Sequence, residues 1–394
     1  MADLIQDGEK KILDPLRPIK SDREDGRFLH TDLFLRDWFK RYTPKLAYKP
    51  GMSKEEFLQW QQKVKEKLLE ILRFPQDVPP QPEPKLLWEE GREGYRIQKW
   101  ECYPEPYSVV PYLMLIPNGV NADNPAPAVM CYPGTFHPKE SLCGEPDIYR
   151  THPNRYFEFN QMAKHFVKEG FVAIAVEHPG YGELRPIDQM PDERFCFQML
   201  TMGRHYQGLS AFQKKVIIDW ANKLDFVQKD NILLSGHSLG KYPCMFLGIV
   251  CDCVKGIIYN DSVYDTIDRY IAAPGFYLYS GCWSHLIPDC EEWFTTVDIL
   301  CAYAPKLLLV SEGGVTKDLN KVKDAYKTAG NENAFEFVHY PKYQDPQTHK
   351  YDDATSPPEC VGDEEYFSYA NADTKSHYFK KDVAIPWAIK HFKK

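Results

Sequence analysis

Long apolar runs, basic tracts, regularly spaced cysteines and repeats are all missing from this chain, and each absence removes a class of protein. No segment reaches the length needed to span a bilayer. The first ten residues carry Asp3, Asp7, Glu9 and Lys10 where an export signal would have an apolar stretch. The expectation is therefore a cytoplasmic protein with no membrane partner, although a signal already removed would leave the same trace. A net charge of −8 without a basic tract argues against nucleic acid as a partner. Eleven cysteines, an odd number scattered without repeated spacing, fit a reducing compartment better than a disulfide framework. Cys251 and Cys253 have no neighbours in sequence that complete a zinc site, so no metal is expected.

What is present is substantial. At 394 residues the chain can bury a large core, as two small domains or as one large α/β domain with decorations. Aromatic residues are abundant, with 25 Tyr, 22 Phe and 8 Trp, which suits a bulky core or a ligand-stacking cleft. Residues 1 to about 50 are polar and proline-punctuated and read as an irregular arm. Ser53 and Glu56 outline a capping box that opens a helix running to about Phe74, with Phe57, Trp60, Val64, Leu68, Leu69 and Leu72 at helical spacing. A proline-rich linker, 75–84, ends it.

From Lys85 the pattern turns to short strands, 85–88, 95–102 and 109–116, which read as an antiparallel meander. Continuous apolar strands then alternate with helices. Strands are expected at 127–132, 171–176, 232–234, 254–259, 305–310 and 334–340, and helices at 157–169, 197–224, 245–250, 317–329 and 381–392. Such alternation predicts an α/β fold with a doubly wound, mostly parallel sheet. The intervening stretch 262–300 is irregular and aromatic, and reads as a lid-like insertion above the carboxyl edge of the strands.

The most informative stretch is Gly236-His237-Ser238-Leu239-Gly240, placed between the apolar run Ile232-Leu233-Leu234 and the helical run 245–250. A serine between two glycines at a strand-to-helix junction is the sequence form of a nucleophile elbow, which lifts the hydroxyl above the sheet. A hydroxyl is a weak nucleophile at neutral pH and needs a histidine base oriented by an acid. In this architecture the chain order is Ser, acid, His. That leaves His339, His349, His377 and His391. His377 is favoured because it lies just before the closing helix, with His349 as the alternative. The acid is expected in the loop 311–318 after the strand at 305–310, where Asp318 is the only aspartate. Glu312 in the same loop and Asp261 at the end of the preceding strand are the alternatives.

Two backbone N–H groups should face the developing oxyanion. Leu239, directly after the serine, supplies one. Thr135, in the turn opened by Pro133-Gly134, supplies the other. His137 and Glu145 lack further ligand spacing and read as surface-loop residues, and His237 reads as a packing residue.

With these pieces assembled, the chain resembles the α/β-hydrolase superfamily. Within it, the chain is similar to the bacterial acetyl xylan esterase-like and dienelactone hydrolase-related group, and to esterase-like proteins of polysaccharide-utilisation systems. The resemblance is carried by 131–135, the elbow, Tyr259-Asn260-Asp261, His285-Leu286-Ile287-Pro288, Ala304-Pro305, Glu312-Gly313-Gly314 and the segment 371–387 with His377. It covers about residues 85–394, which implies a catalytic domain there and an N-terminal extension over 1–84. It implies ester hydrolysis through an acyl-serine, with no cofactor, on carbohydrate O-acetyl groups or other small esters. The lack of an export signal in this chain favours imported oligosaccharides or small-molecule esters. A peptidase of the same fold and a catalytically silent binding protein are the alternatives. The oligomeric state is left open.

Overall fold

A strand buried on both faces needs apolar residues at successive positions, not alternate ones, and the centre of this chain supplies several such runs. The computed structural model describes residues 4–7, 10–13, 17–21, 23–146, 157–186, 192–274, 283–351 and 357–393. Among these residues, β1 (Leu4–Asp7) and β2 (Lys10–Leu13) form a separate antiparallel pair. The main sheet contains β3 (Lys85–Arg92), β4 (Tyr95–Cys102), β5 (Val110–Pro117), β6 (Ala126–Tyr132), β7 (Val172–Val176), β8 (Val227–His237), β9 (Val254–Asn260), β10 (Leu307–Val310) and β11 (Phe335–Phe337). Their spatial order is β11-β10-β9-β8-β6-β7-β5-β4-β3. From β11 to β7 all neighbours are parallel, whereas β5, β4 and β3 add an antiparallel wing. This is the α/β-hydrolase fold.

Helices cover both faces. One core layer joins the sheet to residues of the helices Lys54–Leu72, Tyr206–Ala221, Lys241–Val250, Thr296–Ala302 and Thr316–Thr328. The other face packs on Met162–Lys168 and Lys381–Phe392. The helix at 54 begins as its sequence predicts. Ser53 Oγ accepts from Glu56 N at 3.2 Å, and Glu56 Oε2 accepts from Ser53 N at 2.8 Å.

Several expectations need correction. The arm before residue 50 contains a helix, Thr31–Arg41, whose exposed Phe34, Leu35 and Trp38 blur the apolar stripe that would have signalled it. The single helix expected over 197–224 is two, Asp192–Thr201 and Tyr206–Ala221. The break falls at Gly203, whose φ of 73° is left-handed and has no place inside a helix, and at His205, which caps the second helix by accepting from Gly208 N. The helix expected at 157–169 is shortened to Met162–Lys168, and the strand expected at 334–340 to Phe335–Phe337. The insertion at 262–300 is more regular than its composition implies, with helices Thr266–Ala272, Cys290–Trp293 and Thr296–Ala302. Its aromatic residues Phe276, Tyr277 and Tyr279 lie outside the described residues.

Candidate active site

Parallel register brings the strand ends together. Tyr132 pairs with Gly236, Gly236 with Tyr259, His237 with Asn260, and Val310 with Tyr259. The turn after β6, the elbow after β8 and the loops after β9 and β10 therefore share one edge of the sheet, where ligands bind in open α/β folds.

At the elbow Ser238 has φ 52°, a left-handed conformation that costs a non-glycine residue energy and marks a constrained turn. The flanking glycines permit the tight crossing. A Cβ on Gly236 would lie 2.1 Å from Gly240 O, and one on Gly240 would lie 2.4 Å from Tyr132 O. The turn after β6 presses against the same elbow, since a Cβ on Gly134 would meet Ser238 Cβ at 3.3 Å and His237 Nδ1 at 2.9 Å. Thr135 follows Gly134 directly in this turn, and Leu239, directly after the serine, is buried. The turn is held from below. His178 Nε2 donates to Pro133 O at 2.8 Å, and buried Glu177 accepts from Lys139 N at 3.3 Å.

His377 lies over the elbow, its ring 4.5 Å from that of His237. Its Nδ1 is 2.6 Å from Glu312 Oε2. The donor must be the Nδ1–H, because a carboxylate only accepts. That leaves Nε2 as the basic nitrogen. Among the described residues no hydrogen bond joins Ser238 Oγ to His377. Such contacts often tighten only when substrate is bound. Burial disfavours the imidazolium, but the Glu312 carboxylate, through charge and hydrogen bond, and Asp261 outweigh it and hold His377 above the ordinary histidine value.

The carboxylate on His377 belongs to Glu312, not to Asp318. Glu312 is two residues past β10, at the sheet edge, whereas Asp318 is already in the first turn of the helix Thr316–Thr328. Asp318 Oδ2 instead accepts from Asp265 N at 2.9 Å. Burial and the Asp265 carboxylate push Asp318 up to about 8, so it is a proton-holding group where the helix Thr316–Thr328 meets the insertion. The third candidate, Asp261, is close enough to His377 to influence it, yet it is engaged by Lys241 Nζ at 2.8 Å. His349 is also placed elsewhere, with Nε2 2.6 Å from Tyr343 O. His391 lies against Glu336 at 3.0 Å.

Three participants were given no role by sequence reasoning. Tyr340 OH donates to Glu312 Oε2 at 2.6 Å, and Lys380 Nζ donates to Oε1 at 2.9 Å. Asn260 ties three loops: its Nδ2 donates to Tyr378 O at 3.2 Å, and its Oδ1 accepts from Ser311 Oγ at 2.8 Å and from Lys380 N at 2.9 Å. Lys380 had a sequence signal in its position, three residues after the favoured histidine. His237, Glu312 and His377 have ligand-type atoms within 4.8 Å of one another, the only such group among the described residues. The Glu312 oxygens are already occupied by His377, Tyr340 and Lys380, so the set is built as a proton relay and offers a cation little.

Within the insertion, Thr266, Tyr270, His285 and Glu291 line a small cavity with Tyr242 of the helix after the elbow. His285 packs edge-on against Tyr242 with ring centroids 5.4 Å apart. Burial and nearby Lys241 push it down to about 4, so it is neutral at physiological pH.

A strained serine on a strand-to-helix turn, faced by a carboxylate-bound histidine on a doubly wound sheet, defines an α/β-hydrolase. The chain belongs to the Abhydrolase family, whose model matches residues 13–390. A proposed acetyl xylan esterase of Bacteroides fragilis NCTC 9343 shares 34% identity over 95% of this chain and 98% of its own, with a TM-score of 0.87. A methylesterase (15% identity, TM-score 0.54, 88% of this chain and 78% of its own) shares the fold. So does a glucuronoyl esterase from Solibacter usitatus, at 15% identity, TM-score 0.51, 73% of this chain and 86% of its own. No curated protein sequence matches the chain.

Proposed function

We propose that this protein is a serine carboxylic ester hydrolase. Ser238 Oγ attacks the ester carbonyl as His377 Nε2 takes its proton. The imidazolium then gives that proton to the departing alcohol, leaving an acyl-serine. Water, deprotonated by His377, attacks the acyl-serine, and the proton returns to Ser238 as the acid leaves. Glu312 fixes the ring through Nδ1 and balances the imidazolium charge. The N–H groups of Leu239 and Thr135 receive the oxyanion. The observation that carries this reading is the 2.6 Å His377–Glu312 pair set against a serine at φ 52°.

Small acyl groups, acetyl above all, on carbohydrate-type or small-molecule alcohols are the proposed substrates. The 34% identical relative is named for xylan acetyl esters. No helix among the described residues is long and apolar enough to cross a membrane.

Hydrolysis of an ester panel with acetyl, butyryl and feruloyl groups on a sugar tests the assignment, together with fluorophosphonate labelling. The wild type should prefer acetyl and label at Ser238, and Ser238→Ala should do neither. An unlabelled wild type without ester turnover would instead mark a silent binding protein, and full activity in Ser238→Ala would refute the nucleophile.

A further inference from the structure

The carboxylate that orients the base is itself held by a lysine from the base's own loop. Lys380 lies three residues after His377. Its Nζ donates to Glu312 Oε1 at 2.9 Å, to Tyr378 O at 3.0 Å and to Ser376 O, and sits 3.7 Å from the centre of the Tyr378 ring. Its backbone N–H donates to Asn260 Oδ1 at 2.9 Å, which anchors the same residue to the end of β9. Only 9% of its side chain is exposed, and Glu312 is fully buried. A buried ammonium in this position is costly unless its pairing is used, and its hydrogen bonds all go to the acid or to the loop carrying the base.

We propose that Lys380 is a positioning residue for the acid–base pair: it grips Glu312 by Oε1 so that Oε2 stays on His377 Nδ1, and its charge sets how readily His377 releases a proton. This rests on the serine-hydrolase reading. A carboxylate bonded only to His377 could rotate about its terminal torsion. Here Lys380 fixes one oxygen, and Tyr340 and His377 share the other.

The electrostatic half follows from what faces His377. Glu312 from the loop after β10 and Asp261 from the loop after β9 favour the imidazolium, and Lys380 opposes it. Asp261 is partly offset by Lys241. His237, from the end of β8, is held neutral by burial and by the neighbouring His377 charge. Removing the Lys380 charge leaves two carboxylates facing the imidazole with one fewer cation among them. His377 then holds its proton to higher pH and is protonated, hence inactive as a base, over more of the range.

The test is the pH profile of kcat/KM for Lys380→Met and Lys380→Gln on an acetyl ester, with KM and kcat separated. Both variants should move the acid limb up by about one pH unit, corresponding to a tenfold change in proton affinity. In Lys380→Met kcat should also fall at least tenfold with KM little changed. Lys380→Gln, which keeps a donor for Oε1, should lose less rate, and Lys380→Arg should restore the wild-type limb. The downfield Nδ1 proton of His377, read by NMR, should weaken in Lys380→Met. A wild-type limb, or one displaced downward, in either neutral variant overturns the proposal. Fluorophosphonate labelling separates the two readings. If the wild type does not label at Ser238, the hydrolase reading falls. If it labels, and the neutral variants label at the same rate across pH, only the role of Lys380 falls.

Discussion

Glu312 has no exposed surface and accepts hydrogen bonds from His377, Tyr340, Lys380 and Asn260. Asp318, six residues on, is equally buried but accepts from a backbone N–H and faces other carboxylates. The two sites predict opposite outcomes. Glu312→Gln should reduce kcat by about 10²–10⁴-fold, as losing the orienting carboxylate does in such triads. Asp318→Asn should leave kcat within about threefold and raise the melting temperature near pH 8. The sign follows from linkage. Asp318 is raised from 3.8 to about 8 in the fold, so its contribution is fully present below 3.8 and is lost as pH rises toward 8, whereas asparagine keeps the neutral form throughout. Steady-state kinetics and thermal melts at pH 5 and pH 8 check both. The sequence favoured Asp318 because it is the loop's only aspartate, and residue type says nothing about which carboxylate reaches back over a strand end. Distance along the chain was the better signal, since Glu312 adjoins the strand and Asp318 is already helical.

At the scale of elements, the strand ends were readable and the helix ends less so. Continuous apolar runs put β6, β7, β8 and β9 within a few residues of their positions, and the elbow followed from two glycines about a serine. Helix breaks depend on single residues such as Gly203 and His205, whose capping role appears only when Gly208 N is in reach. The turn after β6 shows how one element serves another. A methyl group at position 134 would lie 2.9 Å from His237 Nδ1 and 3.3 Å from Ser238 Cβ. Gly134→Ala should therefore lift the turn off the elbow and move the Thr135 N–H away from the oxyanion. The expected result is a loss of about 10²-fold in kcat, the scale set by removing one oxyanion donor or misplacing it by about an ångström, with unchanged folding by circular dichroism. Wild-type kcat in that variant would mean that the turn donates nothing.

At the scale of the whole molecule, the helix Lys54–Leu72 belongs to the same core as the sheet. Phe57, Val64, Leu68 and Leu72 have no exposed surface, and the helix packs against both Tyr206–Ala221 and the Lys241–Val250 helix that carries the elbow. Its amphipathic spacing and capping box announced the helix, but no local pattern could name the surface it covers, because that contact is made across more than a hundred residues of chain. The join is tight at one point. His205 Nε2 donates to Ile71 O at 2.9 Å, satisfying a carbonyl left over at the helix end, and a Cβ on Gly208 would lie 2.1 Å from Leu72 O. Inside a helix, glycine to alanine ordinarily stabilises by up to about 1 kcal/mol. Gly208→Ala should do the reverse, because the backbone carbonyl of Leu72 cannot yield without parting the two helices, and overpacking of this kind costs about 1–3 kcal/mol. Denaturant unfolding measures the sign directly. A stabilised Gly208→Ala would show that the N-terminal helix sits off the core, free to be removed without cost to the catalytic sheet.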